Sequence, residues 1–123
     1  MKSQWIEHSG KRILFIDVSN FGDNEKALDA ELAEVVSTIG LEMYKQPAHS
    51  VLVMVNLTNT DITQTANRLL SERIKDTKKF IKKTAVVGMT GVRSYFLEFF
   101  AQLAGSETGG FHDVESAKAW LVK

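Results

Sequence analysis

The segment VLVMVNLTNT, residues 51–60, sets the architecture of the whole chain. Five uninterrupted apolar residues precede Asn56, and a turn rich in hydroxyls and amides follows. The run is too short to span a bilayer. Its β-branched content suits a strand buried on both faces. The polar turn then opens into an amphipathic helical pattern. Strand-to-helix junctions of this kind are where open α/β sheets place their working groups.

Upstream, residues 3–8 and 12–18 read as two strands separated by Ser9-Gly10. That linkage is too short for a crossover, so the two strands pair as a hairpin. Asp17 lies near the end of the second strand. Residues 19–24 form a loop offering several helix caps. A first helix is expected over 25–44, with Leu28, Leu32, Val35, Val36, Ile39 and Met43 on one face. Gly40 weakens its end, and Pro47 stops it. Its exposed face is acidic, with Glu25, Asp29, Glu31, Glu34 and Glu42.

Downstream of the central strand, 51–57, Thr60 is expected to cap a second helix, with Asp61 in the favourable first turn. Ile62, Ala66, Leu69, Leu70 and Ile74 form its buried stripe, and the helix ends near Lys78. Phe80 and Ile81 anchor a return loop. Arg68, Arg73, Lys75, Lys78, Lys79, Lys82 and Lys83 read as a solvated face, or as a patch for an acidic partner or a second copy. A fourth strand, 84–87, leads through Gly88-Met89-Thr90-Gly91 to a third helix over 92–104. A last strand around 110–112 precedes a terminal helix, Val114–Leu121, capped by Asp113, with Ala117, Trp120 and Leu121 turned inward. The order ββαβαβαβα calls for an α/β fold. Its sheet is mixed but mostly parallel, begins with a hairpin, and carries four helices in a single domain, residues 1–123.

Composition narrows the function classes. The 15 basic and 15 acidic residues cancel, which argues against a generalised affinity for nucleic acid or anionic membrane. At 44% hydrophobic and 24% charged, the chain is expected to fold without disorder. Absence of cysteine excludes disulfides, thiolate metal sites and cysteine nucleophiles. The first residues, MKSQWIEHSGK, have no apolar signal-peptide core, and no segment is long enough to cross a bilayer. A cytoplasmic location is the expectation.

Four blocks, GKRILFIDVSN (10–20), HSVLVMVNLTNT (49–60), KKTAVVGMTGV (82–92) and FHDVESAKAWL (111–121), together resemble SpoIIAA-like, STAS-related bacterial domains. That group includes anti-sigma-factor antagonists and cytosolic domains of anion transporters, and is distantly similar to CRAL-TRIO lipid-binding domains. The resemblance implies a SpoIIAA-like (STAS-like) fold and a non-enzymatic regulatory or protein-interaction role. The alternative it implies is a carrier or sensor of a small anionic or lipid-like ligand. Antagonist members carry a phosphorylatable Ser in an Asp-Ser-Ser-Gly-Leu sequence after the central strand. Thr58, Thr60, Thr63 and Thr65 occupy that region here, and none matches residue by residue. Control by threonine phosphorylation therefore stays open.

Three candidate sites emerge. Asn56, Thr58, Asn59 and Thr60 would form a polar pocket with Asp17 where their strands are neighbours. A phosphate on Thr60 would sit at the positive end of the second helix. Capping and turn formation account for the same residues without any function. The turn Gly88, Thr90 and Gly91, with Arg93 close by, could hold an anion on backbone N–H groups. It lacks the P-loop ending and the three-glycine fingerprint, so a tight strand-to-helix turn needing glycine is the simpler reading. In 92–104, Val92, Phe96, Phe99 and Leu103 share one face, while Tyr95, Leu97 and Phe100 lie beyond it. So wide an apolar surface is a large core stripe, or an interface for a second copy in a homodimer, another protein or an apolar ligand. Tyr95, Phe96, Phe99 and Phe100 are the interface candidates.

His8, His49 and His112 lack the spacing of a helical metal pair, and no Ser/His/Asp arrangement is recognisable. Asp17, Asn56 and Thr90 loosely resemble a phosphoacceptor site, but Asn56 cannot form an acyl phosphate. Neither an enzyme nor a cofactor or metal is expected.

Overall fold

Five strands pair into one sheet in the computed structural model, which describes residues 1–88 and 107–123. They are β1 (Gln4–His8), β2 (Lys11–Asp17), β3 (Val51–Asn56), β4 (Ile81–Val87) and β5 (Glu107–Phe111). Their spatial order is their sequence order, so β3 is the middle strand. Only the β1–β2 pair is antiparallel; β2–β3, β3–β4 and β4–β5 are parallel. Ser9 and Gly10, with φ of 50° and 77°, supply the left-handed two-residue turn that a tight hairpin requires.

The continuous apolar run of β3 follows from its position. Every residue in it is buried. Val51, Val53 and Val55 enter one core with Leu28 and Leu32 of α1 (Glu25–Ser37) and Ala66, Leu70 and Ile74 of α2 (Gln64–Thr77). Leu52 and Met54 point the other way, against Ala117 and Leu121 of α3 (Val114–Leu121). Full burial of each such aliphatic side chain contributes roughly 1.5–3 kcal/mol. A strand covered on both faces has no use for alternating polar residues.

Three α-helices lie among the described residues; the expected helix over 92–104 falls outside them. The first helix is shorter than its periodicity predicts. It ends at Ser37, Thr38 leaves helical geometry (φ −128°, ψ −97°), and a 3-10 segment, Ile39–Lys45, follows. Gly40 explains why no larger residue sits at the break: an added Cβ would lie 2.9 Å from the Val35 carbonyl oxygen. The fourth strand takes in Ile81, expected in a return loop. The fifth begins at Glu107 rather than Gly110. Its low side-chain content hides it, because Gly109 lies beneath the rings of Phe111 and Trp120.

Two charged residues expected at the surface are buried. Glu31 is only 7% exposed, and its carboxylate accepts from the backbone N–H groups of Lys2 (3.2 Å) and Ser3 (3.0 Å). Ser3 Oγ in turn accepts from Asp17 N–H at 2.9 Å, so the acid ties the start of the chain to the end of β2. Lys83 is buried too. Its ammonium donates to the Trp120 carbonyl at 3.1 Å and lies over the Trp120 ring, where the end of a helix welcomes a cation. The other basic residues of that group, from Arg68 to Lys82, are exposed. Asp113 caps α3 as expected, accepting from Ser116 N–H at 2.7 Å. That bond and the Ser116 hydroxyl hold its carboxyl below its ordinary pKa.

Replacing Glu31 with Ala leaves buried N–H groups without their acceptor. The expected loss is about 2 kcal/mol in urea unfolding, with Glu34→Ala on the exposed face near neutral; equal small effects would show that the carboxylate is not the tie.

Candidate functional site

The parallel pairing of β2 with β3 sets Asp17 directly beside Asn56. Both strands then end in the same turn. Asp17 Oδ1 accepts from Ser19 N–H at 3.1 Å and from Ser19 Oγ at 2.6 Å. Asn56 Oδ1 accepts from Thr58 N–H at 3.1 Å and from Thr58 Oγ1 at 2.7 Å. The residue between is apolar and fully buried in each case, Val18 and Leu57. The next is an asparagine in the left-handed region, Asn20 at φ 62° and Asn59 at φ 55°, a conformation asparagine tolerates better than most residues.

The two turns stack as a continuation of the sheet. Val18 N–H donates to Asn56 O, Asn20 N–H to Thr58 O, and Gly22 N–H to Asn59 O, at 3.1, 2.7 and 2.9 Å. At the exposed tip, Asn59 Nδ2 donates to Asn20 Oδ1 at 3.1 Å. Thr60 locks the stack from inside. It is 1% exposed, donates to the Val18 carbonyl and accepts from Phe21 N–H. It does not cap the second helix: Thr63 does, accepting from Ala66 N–H at 3.0 Å. The competing caps lie three residues apart, and burial of Thr60 decided between them.

The structure therefore brings Asp17, Asn56, Thr58, Asn59 and Thr60 together. Gly88 joins them from the end of β4. At φ 86° it abuts Thr58 so closely that an added Cβ would lie 2.7 Å from the Thr58 nitrogen and Oγ1. Thr90, Gly91 and Arg93 of the same expected turn lie outside the described residues, as do Tyr95, Phe96, Phe99 and Phe100. Sequence reading missed Ser19, Asn20 and Lys2. Lys2 Nζ donates to the Ser19 carbonyl and lies 3.8 Å from Asp17 Oδ1. The signal was there: Asp-Val-Ser-Asn and Asn-Leu-Thr-Asn repeat one pattern, with their asparagines 39 positions apart.

A second feature lies between the helices. Over the sheet, α1, the 3-10 segment and α2 leave an apolar cavity of about 50 Å³, with Leu14, Val53, Leu70 and Ile74 in its lining and Tyr44 and Arg73 among its polar-tipped residues. Thr84 lines it as well. Its Oγ1 is buried and has no hydrogen-bond partner among the described residues. Among those residues, no group of three acidic or imidazole side chains could hold a metal ion, and no helix is long and apolar enough to cross a membrane.

No family model, curated protein or solved structure matches the chain.

The contact between Gly88 and Thr58 is a sharp test of the stack. Gly88→Ala is expected to cost about 2 kcal/mol or more, from the positive φ and the clash together. Gly22→Ala, at positive φ but in open space, should cost about 1 kcal/mol. Thermal unfolding of the two variants makes the comparison, and equal losses would remove the contact.

Proposed function

We propose that this chain is a non-enzymatic regulatory or protein-interaction module of STAS-like type, whose partner reads the rim formed by the two stacked turns. The observation that carries this reading is where the rim's polar groups are directed. The side chains of Asp17, Ser19, Asn56, Thr58 and Thr60 all engage hydrogen bonds within the rim. Groups so engaged fix a shape, whereas a nucleophile or general base must face its substrate. What remains outward is a stiff surface tipped by Asn20 and Asn59, both exposed. The hairpin-first, mostly parallel sheet supports the STAS-like assignment.

Phosphorylation fits this reading at α2 rather than at Thr60, which no kinase can reach while the fold is intact. Thr65 is exposed in the first turn and Thr63 is the half-buried cap. A phosphate at either would meet the positive end of the helix. Self-association through Tyr95, Phe96, Phe99 and Phe100 belongs to the same proposal and is supported by the apolar pattern of that segment. Affinity capture from the native cell tests the rim. Asn59→Asp keeps the left-handed backbone but removes the amide donor, and is expected to weaken capture roughly tenfold, equivalent to about 1.4 kcal/mol. If that variant, Tyr95→Glu and Phe100→Glu all leave capture and sedimentation mass unchanged, the module reading fails.

A second reading is a carrier or sensor of a small anionic or lipid-like ligand; the apolar cavity, at about 50 Å³, has room as it stands for only a few non-hydrogen atoms, so a lipid-like occupant requires α1 and α2 to part. The cavity lining is mostly apolar, and the Thr84 hydroxyl, without a partner among the described residues, offers a ligand one hydrogen bond. Thr84→Val removes a buried hydroxyl while keeping its shape, and should stabilise the free protein by about 1–3 kcal/mol. Native mass spectrometry of protein from cells should then show a stoichiometric ligand that the variant loses; an apo mass for both chains counts against this reading.

A further inference from the structure

At the end of the sheet opposite the stacked turns, a concavity of about 420 Å³ opens between the starts of the strands. Its lining includes Lys11, Arg12, His49 and Lys82, and no carboxylate. In a chain with equal numbers of acids and bases this is a local excess, and the fold creates it. Lys11 and Arg12 open β2, Lys82 stands near the start of β4, and His49 lies in the loop entering β3. Parallel pairing of the three strands brings these starts side by side.

The walls are held in place. Trp5 Nε1 donates to the Ile39 carbonyl at 3.0 Å, and the Arg12 guanidinium lies 4.6 Å over the Trp5 ring. His49 is kept in the left-handed region at φ 54° while its N–H donates to Lys79 O, and Ser50 N–H donates to Phe80 O. Ser50 Oγ closes the loop on the Pro47 carbonyl at 2.7 Å. Glu42 ion-pairs with Arg12 at 3.2 Å, and Lys11 donates to the Val122 carbonyl, both at the exposed surface. Lys82 is exposed.

We infer that this concavity binds a small, multiply charged anion of the soluble phosphate-ester or diphosphate class. Two lysine ammonium groups, an imidazole and a guanidinium shared with Glu42 stand around one hollow and favour an anion of more than one charge, and guanidinium and ammonium groups together suit phosphate oxygens. The volume of about 420 Å³ admits a small molecule. The site shares no residue with the rim and stands or falls separately from the proposed function.

Titration calorimetry of the full chain with pyrophosphate, at constant ionic strength, tests the inference. Saturable one-to-one binding is expected, weakened about tenfold in Lys82→Gln and in Lys11→Gln. Lys75→Gln, an exposed α2 lysine that does not line the hollow, should bind like the parent. Melting curves separate loss of binding from loss of fold, and Lys11→Gln keeps the test open if the β4 variant Lys82→Gln unfolds. Citrate is the chemical control and should bind more weakly than pyrophosphate. Absence of saturation by about 1 mM, equal loss in Lys75→Gln, equal affinity for citrate, or binding confined to anionic vesicles would each overturn it.

Discussion

Side-by-side parallel pairing of β2 and β3 is the constraint on which the molecule depends. It fixes Asp17 next to Asn56, and the hydrogen bonding does not stop where the strands stop. Because both strands close in the same carboxyl- or amide-anchored turn, the backbones stay in register as far as Asn20 and Thr58, and the hydrogen bonding continues, shifted by one residue, to Gly22. A one-residue slip would turn Val53 and Val55 out of the core they share with α1 and α2. The same slip would separate the two turns. Core packing and rim geometry are thus one decision made once, in the middle of the sheet.

The ties that support this arrangement are mostly polar and mostly long-range. Glu31 reaches from α1 to the backbone before β1, Ser3 from there to the end of β2, and Thr60 from after β3 back to Val18. Each satisfies groups that burial would otherwise leave unpaired, which is why charged and hydroxyl side chains sit in places a hydropathy reading gives to solvent. Lys83 follows the same logic on the other face, where its ammonium meets carbonyls at the end of α3. Among the described residues, Asp29 Oδ1, Asn67 Oδ1 and the Thr84 hydroxyl beside the apolar cavity are buried without a hydrogen-bond partner.

Polarity is distributed along the strand direction. The ends of β2 and β3 carry amides and hydroxyls that bond to one another, while their starts, with that of β4, gather cations around a hollow. A rim whose polar groups are mutually satisfied offers shape; a hollow lined by cations offers charge. The two ends are therefore suited to different kinds of recognition.

The one-dimensional pattern was enough for the strands with side chains to bury, for the hairpin turn at Ser9-Gly10, for the Asp113 cap and for the sheet class, because burial on both faces, left-handed φ and capping each write themselves into a few adjacent residues. It reached the set Asp17, Asn56, Thr58, Asn59 and Thr60, because polar residues after an apolar run mark a strand's end. It could not assign roles within that set. Whether Thr60 or Thr63 caps α2, whether Glu31 faces water, and how early the glycine-rich β5 begins all turn on groups many positions away. The helix break at Thr38 likewise sits where Gly40 packs against Val35, a matter of how the chain folds back on itself. Only tertiary structure, by bringing separate segments within hydrogen-bonding distance and shutting water out, decided those.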